Sequence, residues 1–289
     1  MSIHDFEIVT TSAGALSIRN KVVGEIMHNP VGPWVEANAL YIDQPKLREE
    51  FKSFKDREFH IYDVGLGSAS NAIAAIDALL KLKDQSPTCK LKLTSFENNL
   101  DLLRFTLIHA DRFPHLTNYK AALESLLHHH VWMSPCETVQ WSLIEGDFNQ
   151  TIVNAASNPN LIFFDPYSPG VNQDMWTLEC FKRLRAKCFA LDEEAHTNLF
   201  TYSISTPIRT AMLLAGFFVG HGQATGLKEE TTQASTKFDK LLDPLAEKWF
   251  GRWSRSHRQW PYDVEQLDLG SLLQTFKMHP QVLKNLPNL

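Results

Sequence analysis

Asp165-Pro166-Tyr167-Ser168-Pro169 follows directly on the run Leu161-Ile162-Phe163-Phe164, and its residue types suit a reaction at nitrogen. The apolar run reads as a fully buried strand, so Asp165 is expected at a strand's carboxyl end, where open α/β sheets place their ligands. A carboxylate there can accept an N–H and orient an amine whose lone pair must attack in line. Pro166 stiffens the backbone beside Tyr167, giving a flat wall for a base or a methyl group. The competing reading is a plain turn, because Asp-Pro and Ser-Pro pairs punctuate loops.

A second stretch, Phe59 to Ala75, has the order strand, tight turn, helix start. Ile61, Tyr62 and Val64 read as buried strand, and Gly65-Leu66-Gly67 breaks it. Ser68 or Ser70 can cap a helix in which Ala72, Ile73, Ile76, Leu79 and Leu80 recur at helical spacing. The glycines let the backbone approach a ligand closely, and the free N–H groups of the helix start favour electron-rich atoms. A dinucleotide fingerprint would need a third glycine where Ser70 stands. The next acid at a strand end is Glu97, closing LKLTSFE. Asp63 and Glu97 resemble the acidic pair of class I S-adenosylmethionine methyltransferases. That likeness implies that Asp63 lies near the amino-acid end of the cofactor and that Glu97 accepts from both ribose hydroxyls. For D-x-G-x-G alone, an ordinary glycine-rich turn remains the alternative.

The elements that would position these residues alternate along most of the chain. Residues 1–45 carry FEIVTT, SAGALSIRN, VVGEIMHNPVGP and ALYIDQP, read as a small antiparallel β element ahead of a helix over Lys46 to Phe54. Glu25 and His28 in GEIMHN either reach the site or are surface turn residues. After Glu97 come a helical stripe at Leu100 to Ile108 and a helix over Tyr119 to Trp132. His128-His129-His130 ends that helix; adjacent histidines point around it, so they read as a solvated cluster favoured by the helix dipole, not a metal site. A strand over Val139 to Ile144 leads to Asp147, a helix N-cap candidate for 148–156. A helix over Met175 to Arg185, a strand over Asn198 to Ile204, a helix over Pro207 to Ala215 and a closing pair, Gly216 to Gly220 with Glu230 to Ser235, complete the pattern. This predicts a mainly parallel, doubly wound α/β sheet with an antiparallel end. Expected units are the β element over 1–45, the main domain over 46–238 and a helical extension over 239–289.

Composition narrows the class. The 289 residues are 44% hydrophobic and 21% charged, ordinary for a globular chain. Cys89, Cys136, Cys180 and Cys188 form no C-x-x-C pair and suit a reducing cytoplasm. No signal peptide is read before Phe6, and no apolar run is long enough to span a membrane. The net charge of −5 means that a polyanion would have to be held by a local basic patch.

Asp165-Pro166-Tyr167 resembles the D-P-P-Y signature of methyltransferases that act on nucleobase amino groups. Read with its flanks, DPYSPGVNQDMW at 165–176 is similar to the D-G-F-A-P-x-x-N-P-D-M-W segment of the MnmC-type methyltransferase domain of tRNA wobble-uridine 5-methylaminomethyl biosynthesis. VGLGSASN at 64–71, which contains Asn71, resembles that family's S-G-F-G-T-G-L-N; TSFE at 94–97 resembles I-S-F-E, GDF at 146–148 resembles G-D-I, and GEIMHN and Glu36-Ala37 resemble E-x-Y-H-S and E-A. The resemblance covers about residues 8 to 236. It implies a Rossmann-like fold and methyl transfer from S-adenosyl-L-methionine to the aminomethyl nitrogen of 5-aminomethyl(-2-thio)uridine in the tRNA anticodon loop. Carried over by position, Asp63, Gly65, Gly67 and Asn71 bind the cofactor, Glu97 holds its ribose, and Asp147 faces adenine. Asp165 holds or deprotonates the amine, with Pro166, Tyr167, His28 and Glu36 beside the substrate; no metal is implied.

Several positions depart from the family pattern. Ala69 replaces a glycine, Pro166-Tyr167 replace Gly-Phe, and LDEEAHT at 191–197 stands where a Pro-Gly turn is expected. Only about 50 residues follow the matched region, so no flavin-dependent oxidase domain is expected, and a separate enzyme would have to supply the aminomethyl intermediate. Within those residues, KWFGRWSRSHR at 248–258 interleaves cations with Trp249 and Trp253. It reads either as an RNA-contacting segment or as a helix docking its aromatic face on the core. Rival functions are a small-amine, polyamine or aminopropyl transferase on the same fold, which should carry further carboxylates near Asp165, where the sequence offers only Asp174, and a non-catalytic cofactor-binding RNA adaptor.

Overall fold

Short runs of branched and aromatic residues form the strands of a computed structural model that describes residues 2–27, 30–83, 88–191, 193–225, 229–266 and 268–286. In chain order they are β1 (Phe6–Thr10), β2 (Leu16–Asn20), β3 (Glu58–Val64), β4 (Lys90–Glu97), β5 (Val131–Met133), β6 (Val139–Glu145), β7 (Leu161–Phe164), β8 (Asn198–Thr201), β9 (Phe218–Gly222), β10 (Thr231–Ser235) and β11 (Asp243–Pro244). β1 and β2 pair as a separate antiparallel hairpin. The others form a nine-stranded sheet among the described residues, ordered β11-β9-β10-β8-β7-β3-β4-β6-β5. β6, β4, β3, β7 and β8 run parallel, and β10 and β9 close that side antiparallel. The expected mainly parallel, Rossmann-like sheet with an antiparallel end is therefore present.

The chain winds outward from β3 in both directions, so β3 and β7 meet at the point where the strand order reverses. There the connections leave toward opposite faces and open a crevice at the carboxyl ends. β7 is buried on both faces, as its unbroken apolar run requires. Helices cover one sheet face with Ile73, Ile76, Leu79 and Leu103, and the other with Phe181, Leu184, Ile208 and Met212.

Three elements differ from the sequence reading. ALYIDQP is not strand: Pro33–Ala37 is helical and continues as a wider helical turn over Asn38–Asp43. Pro33 follows Gly32 at the first helical position, which suits its fixed φ, and Leu40, Tyr41 and Ile42 are buried in the core. The helix expected to reach Trp132 stops at His129. His130 turns left-handed, and residues 131–133 pair with β6. The described residues of 239–286 are helical in part, but β11 joins the sheet edge and Trp249, Phe250, Trp253, Phe276 and Val282 belong to the same core cluster as β7 and β8. Trp253 stacks on Phe276 with ring centroids 4.4 Å apart and donates from its indole to Thr210 at 3.0 Å. Of the two readings of this segment, core docking accounts for both tryptophans, which are 5% and 3% exposed.

Candidate active site

At the reversal point the strand-end loops hold one another. The amides of Gly65 and Leu66 both donate to the Phe96 carbonyl at the end of β4, at 3.1 and 3.2 Å, and the Asp165 amide donates to the Val64 carbonyl at 2.9 Å. Gly65 has φ +90°, and a Cβ there would stand 2.7 Å from the Asp165 carbonyl oxygen. Only glycine lets the first loop lie this close to the loop after β7. Gly67 has φ +54° but open surroundings, and Ala69 adopts φ +65°, so the family's missing glycine leaves an alanine in a left-handed conformation.

Above these loops lies a cavity of about 530 Å³. Of the residues singled out in the sequence, Gly65, Gly67, Asn71, Glu97, Asp147, Asp165, Pro166, Tyr167 and Glu36 line it. His28 lies outside the described residues. Asp63 does not line it: the side chain is 1% exposed and its carboxylate accepts from Ser95, whose hydroxyl in turn accepts from the Trp141 indole. Strand alternation turns this side chain beneath the glycine loop. Burial, opposed by the Ser95 hydrogen bond and reinforced by the nearby charges of Asp165 and Glu97, pushes its pKa up to about 7.

The two ends of the cavity differ chemically. At one, Glu97 is held by three backbone N–H groups: Gly67 donates to one carboxylate oxygen at 3.0 Å, and Asn98 and Asn99 donate to the other at 2.9 and 3.2 Å. Burial raises its pKa and these bonds oppose the rise. Each oxygen keeps acceptor capacity, as a residue that receives hydroxyl donors requires. Asp147 caps the short helix Phe148–Thr151 through the Asn149 amide at 2.9 Å while still lining the cavity. Phe96 and Phe148 meet edge to face, 5.1 Å apart, beside it. The glycine cradle, the pinned ribose-type acid and the aromatic walls fit an adenosine-bearing cofactor, and no lysine or arginine among the described lining residues prepares the site for a phosphate.

At the other end Asn71 donates to Asp165 at 2.7 Å, while its own Oδ1 is buried without a protein partner. Asp165 is thus fixed by the helix that follows the glycine loop. Tyr202 donates to the Pro166 carbonyl at 2.9 Å and the Trp176 indole to the Tyr167 carbonyl at 2.8 Å, so the DPY backbone is clamped from two sides. Asn20, at the end of β2, donates to the Tyr167 hydroxyl at 3.0 Å, and Ser168 donates to Glu25. The N-terminal hairpin therefore forms a wall of the cavity and brings Glu25 there. Tyr41, fully buried, holds its phenol against Asp165 and Glu36 in a geometry short of a hydrogen bond; burial and those charges raise its pKa well above the ordinary value. Burial pushes Tyr167 up to about 12 and raises Tyr202 too, so all three phenols stay protonated at neutral pH.

Sequence reading left Asn20, Tyr41 and Tyr202 out, and left Glu25 open between site and surface. Tyr202 stands just past β8, where the strand-end rule that picked out Asp165 could have found it. Nothing local marks Asn20 or Tyr41, whose positions come from long-range packing. The expectation that only Asp174 accompanies Asp165 is corrected: Glu25 and Glu36 line the same cavity.

Residues 115–237 match a family described as S-adenosyl-L-methionine-dependent methyltransferase. The chain is 25% identical over 204 residues to the tRNA 5-methylaminomethyl-2-thiouridine biosynthesis bifunctional protein MnmC of Methylobacillus flagellatus, covering 65% of this chain and 29% of that protein. With its counterpart in Dichelobacter nodosus it shares 24% over 228 residues, covering 75% and 34%. The chain thus spans about a third of the length of these curated relatives. The crystal structure of MNMC2 from Aquifex aeolicus has the same fold, with a TM-score of 0.69 and 24% identity over 96% of this chain and 84% of that one.

Proposed function

We propose that this chain, which is similar to S-adenosyl-L-methionine-dependent methyltransferases and to MnmC proteins, methylates the aminomethyl nitrogen of 5-aminomethyl(-2-thio)uridine at the tRNA wobble position. The observation that carries this reading is the carboxylate of Asp165, pinned by Asn71 at a strand end and facing the cavity beside the glycine loop. Bound S-adenosyl-L-methionine supplies a sulfonium-activated methyl carbon. Gly65, Gly67 and Glu97 are its proposed cradle, with Asp147 at the adenine end. Asp63, bonded to Ser95 on the neighbouring strand and outside the cavity lining, is not part of that cradle.

An aliphatic amine arrives protonated and cannot attack until it loses a proton. Asp165 accepts an N–H and orients the lone pair, and it or a water beside it takes the proton. Methyl transfer would turn the neutral amine into a methylated ammonium and release S-adenosylhomocysteine, and Asp165 would pass the proton it took to solvent. Pro166 and Tyr167 form the wall that holds the base, because Asn20, Trp176 and Tyr202 prevent them from moving. Glu36 and Glu25 add negative potential that favours an ammonium at this end.

Incubating tRNA bearing 5-aminomethyl(-2-thio)uridine with the protein and S-adenosyl-L-methionine should add one methyl group to that nucleoside by mass spectrometry. Asp165→Ala should cut turnover by roughly 10²- to 10⁴-fold while S-adenosylhomocysteine still binds; retained turnover would remove Asp165 from the chemistry. The shared lining of Glu25, Glu36 and Asp165 also favours a second reading, a free small amine or polyamine as acceptor. Methylation of spermidine with no change in tRNA would select it.

A further inference from the structure

The cavity and the surface beside it carry opposite charge. Glu25, Glu36, Glu97, Asp147, Asp165 and Asp174 line the cavity, with no lysine or arginine among the described lining residues. Such an interior accepts an ammonium and repels a phosphate. An RNA whose modified base enters it must keep its backbone outside and find cations there.

One place that offers those cations is the segment 248–258. Arg252, Arg255 and Arg258 are exposed, together with Lys248 and His257, and none of the three arginines forms an ion pair among the described residues. Residues just after this segment are tied by two hydrogen-bonded anchors to stretches that adjoin the cavity. Tyr262 shares a hydrogen bond of 3.1 Å with Ser205, three residues past cavity-lining Tyr202. Asp263 accepts from the amides of Leu178 and Glu179 at 2.9 and 3.2 Å, where a helix starts just after cavity-lining Asp174 and Met175. Both anchors hold segments that follow β7 and β8 in the chain, the strands whose ends lead to cavity-lining Asp165 and Tyr202. With Trp253 buried against Phe276 and Thr210, the segment has a fixed underside and a cationic outer face.

We propose that the 252–258 loop is the phosphate-contacting surface for the RNA whose base enters the acidic cavity, with Arg252, Arg255 and Arg258 as the contacts. The tryptophans support this surface from below and do not stack on bases. This inference rests on the RNA reading above and adds the place where the backbone is held.

The test compares two acceptors with the full-length protein: tRNA bearing 5-aminomethyluridine, and the free 5-aminomethyluridine nucleoside. Arg252→Ala/Arg255→Ala/Arg258→Ala should raise KM for tRNA, leave kcat/KM for the nucleoside unchanged, and flatten the salt dependence of tRNA binding. Three lost contacts on single-stranded RNA lower the log–log slope by about 2, so the affinity drop between 50 and 200 mM salt shrinks by roughly an order of magnitude. S-adenosylhomocysteine affinity reports that the variant is folded. Unchanged KM and slope for tRNA in a folded variant would overturn the proposal. If the unmodified protein methylates neither acceptor, the RNA reading itself fails, which is a distinct outcome; Arg252→Lys/Arg255→Lys/Arg258→Lys, which keeps all three charges, should retain most of the slope.

Discussion

Gly65→Ala is the most direct test of how the site is built. Two costs combine. An L-residue at φ +90° lies in backbone space that only glycine visits freely, and the left-handed region alone costs roughly 1–2 kcal/mol. The new methyl would also stand 2.7 Å from the Asp165 carbonyl oxygen and 3.0 Å from the Pro166 nitrogen, backbone atoms clamped by Tyr202 and Trp176. Overpacking of this kind costs about 1–3 kcal/mol, so the expected loss is roughly 2–5 kcal/mol by urea denaturation. The relief that remains open to the chain is to push Asp165 away from the glycine loop, and so turnover should fall even at saturating cofactor. Gly67→Ala is the matched control. Its φ is +54° and its nearest contact an ordinary 3.7 Å to Leu102, and Ala69 already tolerates φ +65° two residues on. It should lose about 1–2 kcal/mol at most. Equal stabilities for the two variants, or a Gly65→Ala protein with unaltered turnover, would refute the close approach of these loops.

Asp63→Asn should flatten the pH dependence of stability. The folded carboxyl keeps its proton up to about pH 7, whereas the unfolded one loses it near pH 4, so the unfolded state gains from ionisation first and stability falls as pH rises across that window. The span of about three pH units corresponds to roughly 4 kcal/mol; the variant should be more stable than the parent at pH 8 and similar at pH 4, and a parent that does not weaken from pH 4 to 7 would contradict the assignment. Tyr41→Phe removes a buried hydroxyl that lacks a hydrogen-bond partner, so thermal denaturation should show no loss, with a gain of up to about 1 kcal/mol; a loss above that size would mean the phenol secures Asp165. Trp253→Ala should cost about 3–5 kcal/mol, because the indole is packed on Phe276 and bonded to Thr210; a mild effect on stability with a large one on RNA affinity would return the residue to base stacking.

The sequence by itself determined what depends on neighbours along the chain. A buried strand announces itself by an unbroken apolar run, as Leu161–Phe164 does, and the residue after it then lies at a sheet's carboxyl edge; Asp165, Glu97 and the Gly65 turn were legible for that reason. Helix starts were legible where a cap or proline stood, as at Asp147 and Pro207. Tertiary structure alone decided which segments meet. Alternating geometry turned Asp63 under the loop, although its spacing matches the acid pair. Packing folded ALYIDQP into a helix that delivers Tyr41, and strand pairing in the N-terminal hairpin carried Asn20 and Glu25 against the DPY segment, about 140 residues away in sequence. Composition could not tell whether Trp249 and Trp253 face solvent or core, because both readings satisfy the same spacing. Burial resolved it: two large indoles remove more apolar surface from water against Phe276 and the sheet than solvent exposure could recover, leaving the cationic side chains of that segment outside.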